Sequence, residues 1–151
     1  MRSSIKESRR YPSRPFATVG VVVWWGDEIL IIKRARPPRQ GEWGLIGGAV
    51  ELGETHFDAA IREVREETGV MIEPFDVITC IDSVTHDAAG MVEFHYSIVE
   101  VNARYVNGEA QALDDITEAR WIKPAELESL QVWDEMRRVV GLAQAQYKPQ
   151  E

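Results

Sequence analysis

The chain has 151 residues, of which 44% are hydrophobic, so it has the length of one domain with a core of its own. Its formal net charge of −8 argues against general nucleic-acid binding, for which a basic surface is the usual signature. No apolar run approaches the roughly 18 residues that cross a membrane, and no signal segment is visible, so we expect a cytoplasmic protein.

The two ends of the chain differ in composition from the middle. Residues 1–14 carry five basic side chains and one acidic one, with serines and prolines among them, which predicts a flexible basic arm. Residues 144–151 are expected to form a polar C-terminal tail. A single folded domain is expected over residues 15–143, since no internal repeat or linker interrupts them.

The first part of this domain predicts two strands and a loop. Phe16 to Trp25 is almost continuously apolar and β-branched, as in a strand buried on both faces. A short turn leads to a second strand over residues 28–33. The proline-rich loop at residues 37–41 then brings the chain to a glycine pair, Gly47 and Gly48, whose backbone can turn sharply and approach a ligand closely.

A short amphipathic helix is predicted after the glycine pair. Thr55, with Asp58 three residues later, resembles a capping box, and Gly69 falls where a C-terminal glycine stop is expected. Apolar residues recur at helical spacing between these ends and predict a stripe that faces the core. The residues of this stripe are Phe57, Ala60, Ile61 and Val64.

Three carboxylates share another face of the same helix. Glu63, Glu66 and Glu67 stand at relative positions 0, 3 and 4, which are neighbours on a helix surface. Like charges at this spacing destabilise the helix, and divalent cations bound by carboxylate oxygens are the obvious compensation. Arg62 can also reach Glu66 at i+4. A solvated acidic surface helix is the alternative, but it explains neither the glycine pair nor Glu54.

The remaining sequence alternates strands and helices. This order predicts an α/β or α+β architecture. The predicted strands cover residues 77–85, 91–101 and 118–122, with a turn near 87–90, and the predicted helices cover 124–130 and about 132–143.

The segment from residue 48 to residue 70 resembles the Nudix box, Gly-x5-Glu-x7-Arg-Glu-U-x-Glu-Glu-x-Gly-U with U aliphatic. Every defining position matches, from Gly48 through Glu54 to the run Arg62-Glu63-Val64-Arg65-Glu66-Glu67-Thr68-Gly69-Val70. Ile46 is one departure, since many relatives have proline before the two glycines. The resemblance implies a single-domain Nudix-type sandwich with a mixed β-sheet between helices.

The resemblance also implies a metal-dependent active site. Glu63, Glu66 and Glu67 would hold Mg²⁺ or Mn²⁺ together with a backbone carbonyl of Gly47, as the counterparts do in relatives. Such ions neutralise phosphate charge and lower the pKa of bound water. Arg62, Glu63 and Glu66 are therefore the candidate catalytic residues of the box.

The base that takes the proton of the attacking water is either a box glutamate or an acid on a later loop. Glu109 follows Asn107 and Gly108 at a strand end and resembles the loop glutamate of some relatives, so it is the loop candidate. Three other acids follow in the same region: Asp114, Asp115 and Glu118.

Five residues are candidates for binding substrate. Arg34 and Arg36 are candidates for the distal phosphate or sugar, and Trp43 for stacking on a nucleobase. Gly48 allows close approach of the ligand. His95 alternates with Glu93 and Ser97 on one face of a strand, opposite Phe94, Tyr96 and Ile98, and this polar face either lines the cleft or faces water.

The resemblance implies hydrolysis of a nucleoside diphosphate linked to another moiety, such as ADP-ribose or a nucleotide sugar. The segments FHYSIVEVNARYVNGEA and EARWIKPAEL look most like compact bacterial ADP-ribose pyrophosphatases. The alternatives are a nucleoside triphosphate pyrophosphohydrolase and a catalytically silent nucleotide-binding module. Relatives that act on ADP-ribose or nucleotide sugars are often homodimers, so the resemblance implies a homodimer. A small-molecule nucleotide is expected as the ligand, and neither nucleic acid nor membrane as a partner.

Overall fold

The computed structural model describes residues 9–149. Its central strand is β1 (Phe16–Trp25), which is buried from Thr18 to Trp24 as the apolar run predicted. This strand pairs in parallel with the strand Val92–Asn107 and antiparallel with the strands Glu28–Arg34 and Ile46–Ala49, so both of its edges are occupied. The sequence prediction of a strand buried on both faces is confirmed.

The elements of the described residues form one mixed seven-stranded sheet between helices. The strands are β1 (Phe16–Trp25), β2 (Glu28–Arg34), β3 (Trp43–Gly44), β4 (Ile46–Ala49), β5 (Met71–His86), β6 (Val92–Asn107) and β7 (Ile116–Ile122). The path through the sheet is β3-β2-β1-β6-β5, with β4 paired to β1 and β7 paired to β2. The helices are α1 (His56–Thr68), a 3-10 helix (Pro124–Ser129) and α2 (Asp134–Gln146).

Each face of the sheet packs against one α-helix, so the core has two halves. On one face, Val19, Val21 and Val23 of β1 pack against α1. On the other face, Val22 and Trp24 pack against α2. The residues alternate because successive side chains of a strand point to opposite faces. The predicted sandwich of a mixed sheet between helices is confirmed.

Helix α1 begins and ends where its caps predicted. The Thr55 side chain accepts a hydrogen bond from the Asp58 backbone N–H at 3.1 Å, and Gly69 ends the helix in the left-handed region with φ 79°. Phe57 is a wrong prediction, because it is exposed rather than in the core. Ala59 is fully buried beside Ala60, so the stripe that meets the sheet is rotated toward smaller residues.

The hairpin of β5 and β6 is longer than predicted. Its open end contains Glu73, Pro74 and Asp76, which interrupt the apolar alternation that the prediction relied on. The register shifts between Pro74 and Asp76, as at a bulge, and this irregularity lets the pairing continue past the proline.

The folded body extends beyond both predicted limits. Helix α2 continues to Gln146, and the Tyr147 ring stacks on Trp24 with centroids 4.4 Å apart, so the polar tail begins later than residue 144. At the other end, the Tyr11 N–H donates to the carbonyl of Glu93 at 2.7 Å. The rest of the expected arm, residues 1–8, lies outside the described residues. None of the described helices is long and apolar enough to cross a membrane.

Candidate active site

Arg62 is the centre of a hydrogen-bond network that ties the loop before α1 to the helix. Its Nε and Nη2 donate to the two carboxylate oxygens of Glu54 at 2.7 and 2.8 Å, and Nη2 also donates to the carbonyl of Ala49 at 3.0 Å. Its Nη1 donates to Glu63 at 2.7 Å and to Glu66 at 3.3 Å. One guanidinium therefore orients three carboxylates, which explains the role of Glu54.

The charges in this network stabilise each other. The hydrogen bonds from Arg62 are the main reason that the pKa of Glu54 lies below its usual range, and the N–H of Glu51 acts in the same direction. The pKa of Arg62 is raised, chiefly by its hydrogen bonds to Glu54 and then to Glu63. Glu54 and Arg62 therefore remain charged and paired at neutral pH.

Glu63 and Glu67 point inward from α1 toward β4. Glu63 is buried, and a Cβ at Gly48 would overlap its carboxyl, so only glycine leaves room for this side chain. The pKa of Glu67 is raised well above its usual range, first by burial and then by the negative charge of Glu63. Arg34 and the Gly47 backbone N–H lower it, but they do not compensate fully.

The three box glutamates do not form a ready-made metal cage. Within residues 9–149, no group of three or more acidic, histidine or cysteine side chains converges tightly enough to hold a metal ion. Glu66 lies against Arg62, whereas Glu67 is half-buried beside Glu63. The Oε2 atom of Glu67 is buried without a hydrogen-bond partner among the described residues, which fits a position where a cation would bind.

A first cavity, which we call the arginine cavity, opens beside this acidic pair. Arg34 and Arg36 line it, as does Gly47. Its other lining residues include Arg9, Arg10, Glu67, Tyr96 and Asp115. Four guanidinium groups beside a buried carboxylate make a site that fits a phosphate bound together with a cation.

A second cavity, which we call the aromatic cavity, adjoins the first and reaches α2. Its walls include Trp43, Tyr96 and Trp133, and Gly48 lies at its edge. Arg9, Arg34, Gly47 and Tyr96 line both cavities. A ligand with a flat apolar end and an anionic end would therefore span the two, with its anionic end near α1.

The predicted substrate residues divide between these cavities, with one exception. Arg34 lines both, Arg36 lines the arginine cavity, and Trp43 and Gly48 line the aromatic one. His95 lines neither, because Phe94 and Tyr96 on the opposite face of β6 face the arginine cavity. The face of β6 that lines the two cavities is thus the one with Phe94, Tyr96 and Ile98.

The acids on the later loop differ in their distance from the site. The Glu109 side chain is exposed and lines neither cavity, although its backbone lies beside Gly69 at the end of α1. Asp115 lines the arginine cavity and is paired with Arg36 at 3.1 Å. Glu118 pairs with Lys33 on β2 at 3.6 Å. Of these three acids, Asp115 is the one that shares a cavity with Glu67.

Two residues of the cavities were missed from the sequence. Glu100 is buried in β6 and lines the aromatic cavity. Its only sequence signal is a charge inside the aliphatic run Ile98-Val99-Glu100-Val101. Arg39 lies over the Trp133 ring, with its guanidinium carbon 3.7 Å from the ring centroid. Arg39 and Trp133 are far apart in the sequence, so no spacing pattern predicted this contact.

Comparison with known proteins agrees with the box and the geometry. A family model described as the NUDIX domain matches residues 14–142. An ADP-ribose pyrophosphatase of Methanocaldococcus jannaschii is 33% identical over 120 residues, which are 80% of this chain and 68% of that protein. A MutT-like protein of Streptomyces ambofaciens is 28% identical over 125 residues, 83% of this chain and 74% of that protein.

Solved structures show the same fold. The crystal structure of a MutT NUDIX hydrolase from Burkholderia pseudomallei superposes with a TM-score of 0.74 at 26% identity, covering 86% of this chain and 98% of that one. Nudix hydrolases generally use divalent metal ions. Because the family model matches most of the chain and the box residues Glu54, Glu63 and Glu66 are assembled around Arg62, the chain belongs to the Nudix hydrolase family.

Proposed function

We infer that the chain is a metal-dependent pyrophosphohydrolase that cleaves a nucleoside diphosphate linked to another moiety, with ADP-ribose as the leading substrate. The observation that carries this inference is the pair of adjoining cavities, one aromatic and one rich in arginine, which meet at Gly47 beside the acidic end of α1. Such a substrate has a flat base at one end and a diphosphate in the middle. The resemblance to the archaeal ADP-ribose pyrophosphatase supports the same choice.

The residues that would hold Mg²⁺ or Mn²⁺ are Glu63, Glu67 and the carbonyl of Gly47, with Glu66 as a further ligand. The unpartnered Oε2 of Glu67, beside the negative charge of Glu63, supports this set. When bound, such an ion neutralises phosphate charge and makes water more acidic. Arg62 keeps Glu63 and Glu66 oriented throughout, because its guanidinium bonds both of them.

The arginine cavity would bind the diphosphate and the group beyond it. Arg34 and Arg36 are positioned for this role, since both line the cavity that Glu67 also lines. Guanidinium groups bind phosphate oxygens in pairs and remain charged at any working pH. Trp43 and the glycine pair would border the nucleoside end, where the aromatic cavity begins.

The proton of the attacking water needs an acceptor on the protein. Glu109 is the residue that we propose for this role, and Asp115 is its competitor because Asp115 lines the cavity. If Glu109 is the base, Glu109→Gln should lower kcat strongly with little change in KM. Asp115→Asn would then have the smaller effect on kcat, and the opposite order of effects would assign the base to Asp115.

Hydrolysis of nucleoside triphosphates with release of pyrophosphate is the alternative reaction. The arginine cavity favours it as well, because four guanidinium groups suit a terminal phosphate. A catalytically silent module would bind the same nucleotides without hydrolysing them.

A hydrolysis screen distinguishes these possibilities. ADP-ribose, dinucleotides, nucleotide sugars and triphosphates would each be incubated with Mg²⁺, with Mn²⁺ and with excess EDTA. We expect turnover of a diphosphate-linked nucleotide that depends on the divalent ion. Glu67→Gln should abolish it, whereas the exposed Glu73→Gln serves as a matched control on β5. Turnover that persists in EDTA would contradict the proposed metal dependence.

Assembly and location complete the proposal. We propose a homodimer in the cytoplasm, with the basic arm at residues 1–14 assisting the association by its attraction to an acidic body. A monomeric mass by light scattering at micromolar protein concentration would contradict the dimer.

A further inference from the structure

Glu100 has a position that the proposed reaction does not use. It lies in β6 in parallel register with Gly20 of β1, on the face that packs toward α2. Tyr96 and Ile98 precede it on the same face, and all three line the aromatic cavity. A carboxyl group of the sheet thus lines the cavity, as do Trp133 and Met136 from the segment of α2.

The structure makes room for this carboxyl group but does not pair it. A Cβ at Gly20 would overlap Oε2 of Glu100, so the absent side chain of Gly20 is what lets the carboxyl lie against β1. Oε2 is buried without a hydrogen-bond partner among residues 9–149. The hydroxyl of Thr18 on the neighbouring strand β1 is already engaged, because Thr18 Oγ1 donates to the carbonyl of Ser97 at 3.1 Å.

The arginines of the cavity do not offset the effect of burial on Glu100, because burial is the only influence on its pKa. Arg39, for example, donates to Ser83 Oγ at 3.2 Å with both terminal nitrogens and lies over the Trp133 ring. A buried carboxyl without a partner is costly in the empty protein, and a bound group that donates N–H bonds would remove the cost.

We propose that Glu100 recognises the nucleobase of the substrate by accepting a hydrogen bond from an exocyclic amino group, with the base seated in the aromatic cavity. The inference rests on the proposed function insofar as the ligand is a nucleotide. The flat rings of Trp43 and Trp133 suit a planar heterocycle, and the carboxyl supplies an acceptor at its edge. Adenine and cytosine carry an exocyclic amino group where hypoxanthine and uracil have a carbonyl oxygen, which would face Glu100 with repulsion. Guanine carries its amino group at a carbon where hypoxanthine has only hydrogen, so that pair tests the loss of the hydrogen bond alone.

The test is a binding measurement that needs no hydrolysis. Nucleoside monophosphates would be titrated in EDTA at about pH 8, where the carboxyl is ionised, with the quenching of tryptophan fluorescence or the heat of binding as readout. The matched pairs are AMP with IMP, GMP with IMP, and CMP with UMP, in which an amino group is the difference. We expect the amino-bearing member of the preferred pair to bind about tenfold tighter, which corresponds to one hydrogen bond to a charged acceptor.

The variant Glu100→Gln keeps the size of the side chain but offers both a donor and an acceptor. Binding of the amino-bearing nucleotide should weaken. Binding of IMP relative to AMP, or of UMP relative to CMP, should strengthen, because the Gln amide can donate to their carbonyl oxygen. The preference should therefore fall to about twofold or less. Glu73→Gln, an exposed change on β5, should leave the ratio as in the unchanged protein. An unaltered ratio in Glu100→Gln, or no preference in any pair of the unchanged protein, would overturn the inference.

The outcome is separable from that of the proposed reaction. A chain that hydrolyses no diphosphate-linked nucleotide but shows the amino preference retains the role of Glu100 and loses only the reaction. Where hydrolysis occurs, Glu100→Gln should raise KM for the preferred substrate with little change in kcat, because the proposed contact is made to the base rather than to the reacting diphosphate. A fall in kcat with unchanged KM would contradict a base-binding role.

Discussion

Removing the charge of Glu100 should stabilise the empty protein at alkaline pH. Burial raises the pKa of this carboxyl from its ordinary 4.5 to about 7 in the folded protein. The folded state therefore holds the proton more tightly than the unfolded state does. Its contribution to stability is fully present below about pH 4.5 and is lost as the pH rises through about 7.

The size of this effect follows from the two pKa values. A carboxyl that titrates at about 7 when folded and at 4.5 when unfolded loses about 3 kcal/mol of stability across that interval. Glu100→Gln does not titrate, so at about pH 8 it should be more stable than the unchanged protein by about 3 kcal/mol, and its Tm should be higher by roughly 6–12 °C. At about pH 4.5 the two proteins should be nearly equal.

Urea unfolding in EDTA at both pH values measures the difference directly. The chelator matters because a cation bound at Glu63 and Glu67 would add its own pH dependence. Glu67 titrates in both proteins, so its contribution cancels in the comparison. Glu73→Gln on the exposed side of β5 should show no such pH-dependent gain. If the stability difference between Glu100→Gln and the unchanged protein is the same at both pH values, the carboxyl is not destabilised by burial and the reasoning fails.

Two further predictions concern the box. In EDTA at neutral pH, Glu67→Gln should raise the Tm, because burial and the charge of Glu63 disfavour the ionised form of Glu67. Glu66→Gln should instead lower the stability by about 0.3–0.5 kcal/mol, since the charged bond to Arg62 is lost. Thermal unfolding of both variants checks this, and a gain in stability for Glu66→Gln would contradict it. Arg62→Lys keeps the charge but not the two-point bond to Glu54, so kcat should fall by roughly 10-fold or more while the fold persists; full activity with normal circular dichroism would show that orientation by the guanidinium is dispensable.

Local pattern was enough to predict several features of this protein. The apolar run of β1 predicted a strand buried on both faces, because period and composition reflect burial directly. Thr55 and Gly69 predicted the ends of α1, since caps depend only on the residues beside them. The spacing of Arg62 and Glu66 predicted that these two would meet, because neighbours on a helix are set by its pitch.

Features that depend on partners from distant segments could not be predicted in this way. The packing of both sheet faces decides which face of β6 lines the cavities. From the sequence alone, the polar face that contains His95 was an equally good candidate. Glu63 and Glu67 were expected on a side away from the core, but β4 approaches α1 closely at Gly48 and buries Glu63, and the Oε2 atom of Glu67 is buried as well.

Glu100 shows the division most clearly. The sequence by itself determined that a charge interrupts an aliphatic strand, and that Gly20 lies within another strand. Only the tertiary structure decided that the two residues are opposite each other, because the parallel register of β1 and β6 is set by the packing of the whole sheet between its helices. Because of that register, the carboxyl of Glu100 occupies the space that a side chain at Gly20 would fill, and both residues line the same cavity. A ligand in this cavity, rather than the protein, can supply the missing hydrogen bond to the carboxyl.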